Sequence, residues 1–163
     1  MIMAFQRKQI SAENALMRLE TLCARSEHCE WELREKLRGW NVASSDVEGI
    51  LASLAKHRFY DDERFARAYV RDKLVHNHWG RRKIALGLYA KRVDRDIIDD
   101  ALDGIDAEEY EGILFAFLQS KVRSLKEGNT YEGRTKLYRA GIARGFEPET
   151  VARLIKTGSV WRD

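Results

Sequence analysis

A chain of 163 residues with 44% apolar and 34% charged residues has the balance of one globular domain or a few small units sharing a core, and its single proline beside 11 glycines argues against a loop-rich β fold. Two cysteines, Cys23 and Cys29, are too few for a disulfide framework, no signal-peptide pattern opens the chain, and the longest apolar run, 113–118, is far too short to span a membrane. The formal charge of +3 hides a layout: 64–92 carries nine Lys/Arg against Asp72 alone, 94–111 carries nine acids against Arg95, and 121–144 carries seven bases against Glu127 and Glu132. The composition points to a cytoplasmic, helical protein with no membrane segment.

Residues 1–10 lack any period and form a short, mobile basic tail containing Arg7 and Lys8. Ser11 opens a helix with Ala15, Leu16, Leu19, Leu22 and Cys23 on one face, where Cys23 serves as a small core hydrophobe. Ser26 is the expected cap of a second helix carrying Cys29, Leu33 and Leu37 and stopping at Gly39; Ser44, Ser45 or Asp46 caps a third through Val47, Ile50, Leu51 and Leu54 to about His57. Asp61 or Asp62 starts a fourth helix whose apolar face is Ala66, Tyr69, Val70 and Leu74, while Arg64, Arg67 and Arg71 draw a separate basic stripe.

Trp79 and Gly80 then introduce Arg81, Arg82 and Lys83 at a helix start. Cations oppose the helix dipole there, so an external anion is expected to meet exposed first-turn N–H groups at this mouth. An acid-rich helix opens at Asp94, and the most apolar long helix holds Ile113, Leu114, Phe117, Leu118, Val122 and Leu125. Tyr131 and Gly133 precede Arg134, Lys136, Arg139 and Arg144 in a second basic region. Trp79 and Tyr131 have two open roles, stapling the turn beside them or stacking on bases. After Lys156 the pattern fades, and Trp161 either packs back or lies loose.

Val42, Val93 and Phe146 stand at helix–helix turns 51 and 53 residues apart, with Leu33, Ile84 and Leu137 nine residues before them and Val47, Ile98 and Val151 five after. This recurrence predicts an all-α chain of three tandem three-helix repeats, at 11–58, 59–105 and 106–157, followed by a tail at 158–163. Units of about fifty residues bury little alone, so they are expected to stack into an elongated, curved, right-handed or solenoid-like array.

No Walker loop, GxSxG elbow or HExxH helix is present, and Cys23, His28 and Cys29 lack paired metal spacing; the expectation is a protein with no catalytic residues, no cofactor and no metal. Concentrated bases attract nucleic acid or an acidic protein, although solvated helix faces carry such charge as well.

The stretches SEHCEWELREKLRGWNV, FYDDERFARAYVRDKL with GRRKIALGL, and KLYRAGIARGFEPETVARLI, taken in that order over roughly residues 11–156, resemble the RecX family of regulators of the bacterial recombinase RecA. The run Asp61–Ala66 is its most specific piece; Asn41 and Arg92 stand where relatives often have Gly before the turn residue, and Gly87 where they commonly have Glu. The resemblance implies a monomer that enters the groove of the RecA filament on single-stranded DNA and lowers strand exchange, ATP hydrolysis and coprotease activity, with at most weak binding of free DNA. The candidate contacts are Arg64, Arg67, Arg71, Arg81, Arg82, Lys83, Lys91, Arg92, Arg134, Lys136, Arg139 and Arg144. Alternatives are a helix-turn-helix-like DNA-binding protein, reading DNA through the helices opened by Asp94 and Glu147, and a helical-repeat scaffold for an acidic protein.

Overall fold

The computed structural model describes residues 8–162. Among them lie nine α-helices, no strand and a closing 3-10 turn: α1 (Ala12–Arg25), α2 (Glu30–Gly39), α3 (Ser44–Lys56), α4 (Asp62–Val75), α5 (Arg81–Ala90), α6 (Arg95–Asp103), α7 (Ala107–Arg123), α8 (Tyr131–Ala143), α9 (Pro148–Lys156) and Ser159–Trp161. The protein is all-α. Residues 1–7 of the expected basic tail lie outside the described residues.

Helix starts follow local chemistry where a short polar side chain is available: Ser11, Asp61, Asp106 and Thr130 each accept from the N–H three residues on. Two starts differ from expectation. α2 begins at Glu30 with Cys29 in the cap position, four residues beyond Ser26, because the Glu30 N–H is capped from a distance by the Asp62 carboxylate at 2.8 Å. α3 begins at Ser44 with Ala43 in the cap position and no side-chain cap bond.

The turns after α2, α5 and α8 share one backbone solution. Asn41, Arg92 and Gly145 adopt φ of 53°, 55° and 90°, and the residue after each donates to a carbonyl five back: Val42 to Leu37 (3.1 Å), Val93 to Leu88 (3.2 Å) and Phe146 to Gly141 (3.2 Å). The left-handed residue itself donates three back, completing the same two-bond helix end at each of these turns, and Arg58 with Phe59 closes α3 in the same way. Asn and Arg thus occupy a conformation that costs an L-residue but not glycine. Gly87 answers a different constraint: a Cβ there would sit 2.1 Å from the Tyr69 hydroxyl, so a Glu at this position requires the Tyr69 ring on α4 to move.

Each successive trio of helices packs chiefly within itself, but the apolar interior is not divided into three. Ala15, Leu19, Leu33, Leu37, Ile50, Leu51 and Leu54 form a core for α1–α3, whereas one continuous core runs through α4–α9, from Phe65 and Val70 to Val151 and Val160. Cys29, expected on the face of Leu33 and Leu37, is fully buried in the second core instead and carries α2 onto its neighbour. Cys23 borders the first core, half-buried, and burial raises its thiol pKa. Past Lys156 the chain packs back: Val160 is 1% exposed, Trp161 is half-buried and Gln119 donates to the Arg162 carbonyl. The accessible surface of 10930 Å² exceeds the roughly 8,300 Å² of a compact globule of this mass; the molecule is extended.

Arg92→Gly is expected to raise unfolding free energy by about 0.5–1 kcal/mol in urea titration, because it relieves the left-handed arginine. Gly145→Ala, whose Cβ would lie 2.5 Å from the Lys83 nitrogen, is expected to cost about 2 kcal/mol or more.

Candidate protein and nucleic-acid interface

The basic stripe of α4 divides into two tethers and one free side chain. Arg64 Nε pairs with Glu27 at 2.7 Å and its terminal nitrogen donates to the Arg58 and Phe59 carbonyls, tying α4 to the turn before α2. Arg71 makes a two-pronged bond to Glu109 on α7, at 2.6 and 2.9 Å, and that guanidinium holds the Glu109 carboxyl below the usual carboxylate range. Arg67, between them, is exposed and makes no ion pair among the described residues.

The expected anion mouth at the start of α5 is closed by the protein itself. Gly80 N–H donates to the Arg144 carbonyl at 2.7 Å and Arg82 N–H to the Gly145 carbonyl at 3.0 Å, so the positive end of α5 meets the negative end of α8. Arg81 N–H donates to the Tyr110 hydroxyl at 3.0 Å. The Arg81 guanidinium lies 3.9 Å from the Tyr110 ring centroid and pairs with Glu147 at 3.5 Å, and that glutamate accepts from the same hydroxyl at 2.7 Å. Burial first, and then the hydrogen bond to Glu147, raises the Tyr110 pKa far above that of a free phenol. Cations that oppose their own helix dipole are here matched by an internal acid and a neighbouring helix end.

Trp79 resolves toward packing. The Lys73 and Lys83 ammonium groups lie 5.2 and 4.6 Å from its ring centroid, and the half-buried ring packs on the second core. Lys73 was not singled out by sequence; its spacing to Tyr69, whose ring it also approaches at 5.4 Å, was the available signal. Tyr131 is not covered in this way: it is 81% exposed at the first residue of α8.

The remaining candidates sort by partner. Lys91 pairs with Glu32 at 3.0 Å and Lys136 with Glu127. Arg144 lies over the Phe117 ring and donates to the Asn77 carbonyl at 3.0 Å. Arg82, Arg92, Arg134 and Arg139 join Arg67 as exposed cations without an ion pair among the described residues. Asp94, Asp96, Asp99, Asp100 and Asp103 are all exposed on and beside α6, and Asp100 lines shallow cavities together with Arg67 of α4. No group of three His, Cys, Asp or Glu among the described residues is placed to hold a metal ion, and no helix among them is long and apolar enough to cross a membrane.

Comparison with known proteins places the sequence beside one family. The family description "RecX, second three-helix domain" matches residues 61–102, from the cap of α4 to the end of α6. Regulatory protein RecX of Clostridium botulinum is 33% identical over 132 residues, covering 78% of this chain and 60% of its own length; that of Clostridium beijerinckii is 31% identical over 129 residues with the same shares. The chain therefore spans about 60% of the length of these clostridial relatives. Regulatory protein RecX of Haemophilus influenzae is 27% identical over 135 residues, covering 82% and 88%. The fold matches the crystal structure of RecX from Lactobacillus salivarius with a TM-score of 0.80 at 17% identity over 90% of this chain and 95% of that one. A second RecX crystal structure matches at 0.79 with 24% identity over 90% and 71%.

Within the matched segment, the first residue of α4 is Asp62, whose carboxyl pKa is raised chiefly by burial, with the Glu30, Asp61 and Glu32 charges adding to it, even as it caps Glu30. A carboxyl raised on folding contributes stability below its unfolded pKa, and that contribution is lost as pH rises through the folded value. Asp62→Asn keeps the cap oxygen and removes the charge, so its unfolding free energy is expected to equal or exceed that of the unaltered protein at neutral pH, with the gap closing in acid. Asp62→Ala loses the cap and is expected to cost about 1 kcal/mol, read by urea titration at both pH values.

Proposed function

Because the chain belongs to the RecX family, we propose that it regulates RecA by lying along the groove of the filament that RecA forms on single-stranded DNA. Occupied in this way, the filament extends less, exchanges strands less, and loses DNA-dependent ATP hydrolysis and coprotease activity. The helix trios correspond to repeats at 11–58, 59–105 and 106–157, and the chain acts in the cytoplasm as a monomer without catalysis, cofactor or metal. The observation that carries this reading, beyond kinship, is an extended helical array on which Arg67, Arg82, Arg92, Arg134 and Arg139 remain exposed and unpaired among the described residues while neighbouring cations serve internal acids. Individually weak electrostatic contacts spread along one chain add through effective concentration and favour a long anionic groove over a compact target.

The unpaired arginines supply the external contact, with Lys83 and Arg144 at their flank. Arg64, Arg71, Arg81, Lys91 and Lys136 hold the array in shape. A helix-turn-helix reader of DNA is disfavoured by α6, which would carry Asp96, Asp99, Asp100 and Asp103 toward phosphate. A scaffold for an acidic peptide shares the cations but predicts no effect on ATP turnover.

The test is a titration of this protein into preformed RecA–single-stranded DNA filaments while phosphate release is followed. Suppression is expected at amounts below one protein per RecA, and DNA binding without any suppression would sink the reading. The combined variant Arg82→Glu, Arg92→Glu, Arg139→Glu is expected to need about tenfold more protein for the same suppression, with unchanged helix content by circular dichroism.

A further inference from the structure

Between α8 and α9 runs an open cavity of about 440 Å³, lined by Tyr131, Arg134, Thr135, Tyr138, Ile155 and Lys156 among others. That volume lies in the range that receives a small organic group, about 300–1,000 Å³. No acid lines it. Arg134 and Lys156 are exposed without an ion pair among the described residues, and Tyr131 offers an uncovered ring at 81% exposure. An aromatic of this kind at the start of a helix has no packing role left to explain it, and Tyr138 continues the aromatic lining two turns further along α8.

We propose that this groove is a base-stacking subsite for single-stranded nucleic acid, in which an unpaired base lies on Tyr131 and its flanking phosphates meet Arg134 and Lys156. The inference deepens the filament-binding reading and rests on it, assigning the nucleic-acid contact to the third helix trio. Charge alone would suit an acidic peptide equally well, but the rings decide between them. An aromatic face is electron-rich and repels carboxylates, whereas every nucleobase has a π-face to lay on it. The lining is largely apolar and aromatic and includes two cations, which suits a base with its flanking phosphates.

The experiment measures fluorescence anisotropy of a labelled oligothymidylate with the whole 163-residue chain and no RecA present. Tyr131→Ala is expected to weaken binding about tenfold and Tyr131→Phe to leave it unchanged, since the ring and not the hydroxyl stacks. Arg134→Ala is expected to weaken binding and reduce the slope of log affinity against log salt by about 0.7, the share of one phosphate on a single strand. An abasic chain with the same phosphates should not distinguish Tyr131→Ala from the unaltered protein. The proposal is overturned if the unaltered protein does not bind the oligonucleotide, if Tyr131→Ala binds as the unaltered protein does, or if polyglutamate binds as tightly and with the same dependence on Tyr131. Because RecA is left out, the two readings fail separately: oligonucleotide binding that needs Tyr131 in a protein unable to suppress RecA sinks the filament reading alone. Suppression without oligonucleotide binding sinks the subsite alone.

Discussion

The contact on which the architecture depends is between two backbones. Where α5 begins and α8 ends, Gly80 and Gly145 face each other so closely that a Cβ on Gly80 would lie 2.4 Å from the Gly145 carbonyl carbon, and a Cβ on Gly145 would lie 2.5 Å from the Lys83 nitrogen. The approach allows two N–H groups of α5 to meet two carbonyls of the α8 turn, joining a positive helix end to a negative one. Around it the Tyr110 and Phe117 rings pack on Phe146, the first tilted and the second stacked, with centroids 5.3 and 6.4 Å away. Six helices thereby share one core, and the basic cluster at 81–83 becomes part of a joint.

The junction between α1–α3 and the rest is built from other material. Glu27 with Arg64, Glu30 with Asp62, Tyr60 with Glu30, and Glu32 with Lys91 are polar contacts, supplemented by the burial of Cys29 and the packing of Trp31. Burial raises the Cys29 thiol pKa to about 11, and the Tyr60 phenol is pushed up to about 12 by burial and by Glu30. These groups keep their protons at neutral pH and serve as structural members. The charged residues of the molecule therefore have two occupations. Some close junctions between helix trios, and others are left over on the surface of an extended body. Only the second kind is available to a partner, which is why the count of bases in a stretch overstates its capacity to bind.

Much of the helical framework was legible in the residues. The faces of Ala15 and Leu19, of Ala66, Val70 and Leu74, and of Leu114, Phe117 and Leu118 followed from spacing, and all are buried. The turns before Val42, Val93 and Phe146 followed from recurrence, and each has the same backbone form despite Asn, Arg or Gly at its left-handed residue. The candidate interface was legible as a region but not in its parts. Arg64, Arg71 and Arg81 looked alike beside Arg67 and Arg82, yet their acidic partners lie 37, 38 and 66 residues away. No local pattern reports a partner at that separation. Trp79 and Tyr131, equivalent by position before or at a helix start, were separated by whether a neighbouring helix supplies lysines and a core to cover the ring.

The sequence by itself determined the number and kind of helices, their apolar faces and the recurring turn, because these depend on periodicity and capping within a few residues. Tertiary structure alone decided that the described residues form two cores and not three, that Cys29 belongs to the second, that the α5 start is occupied, and which cations have no ion pair among the described residues. Those outcomes depend on which surfaces meet across long stretches of chain, where burial, backbone clearance and charge pairing are settled jointly.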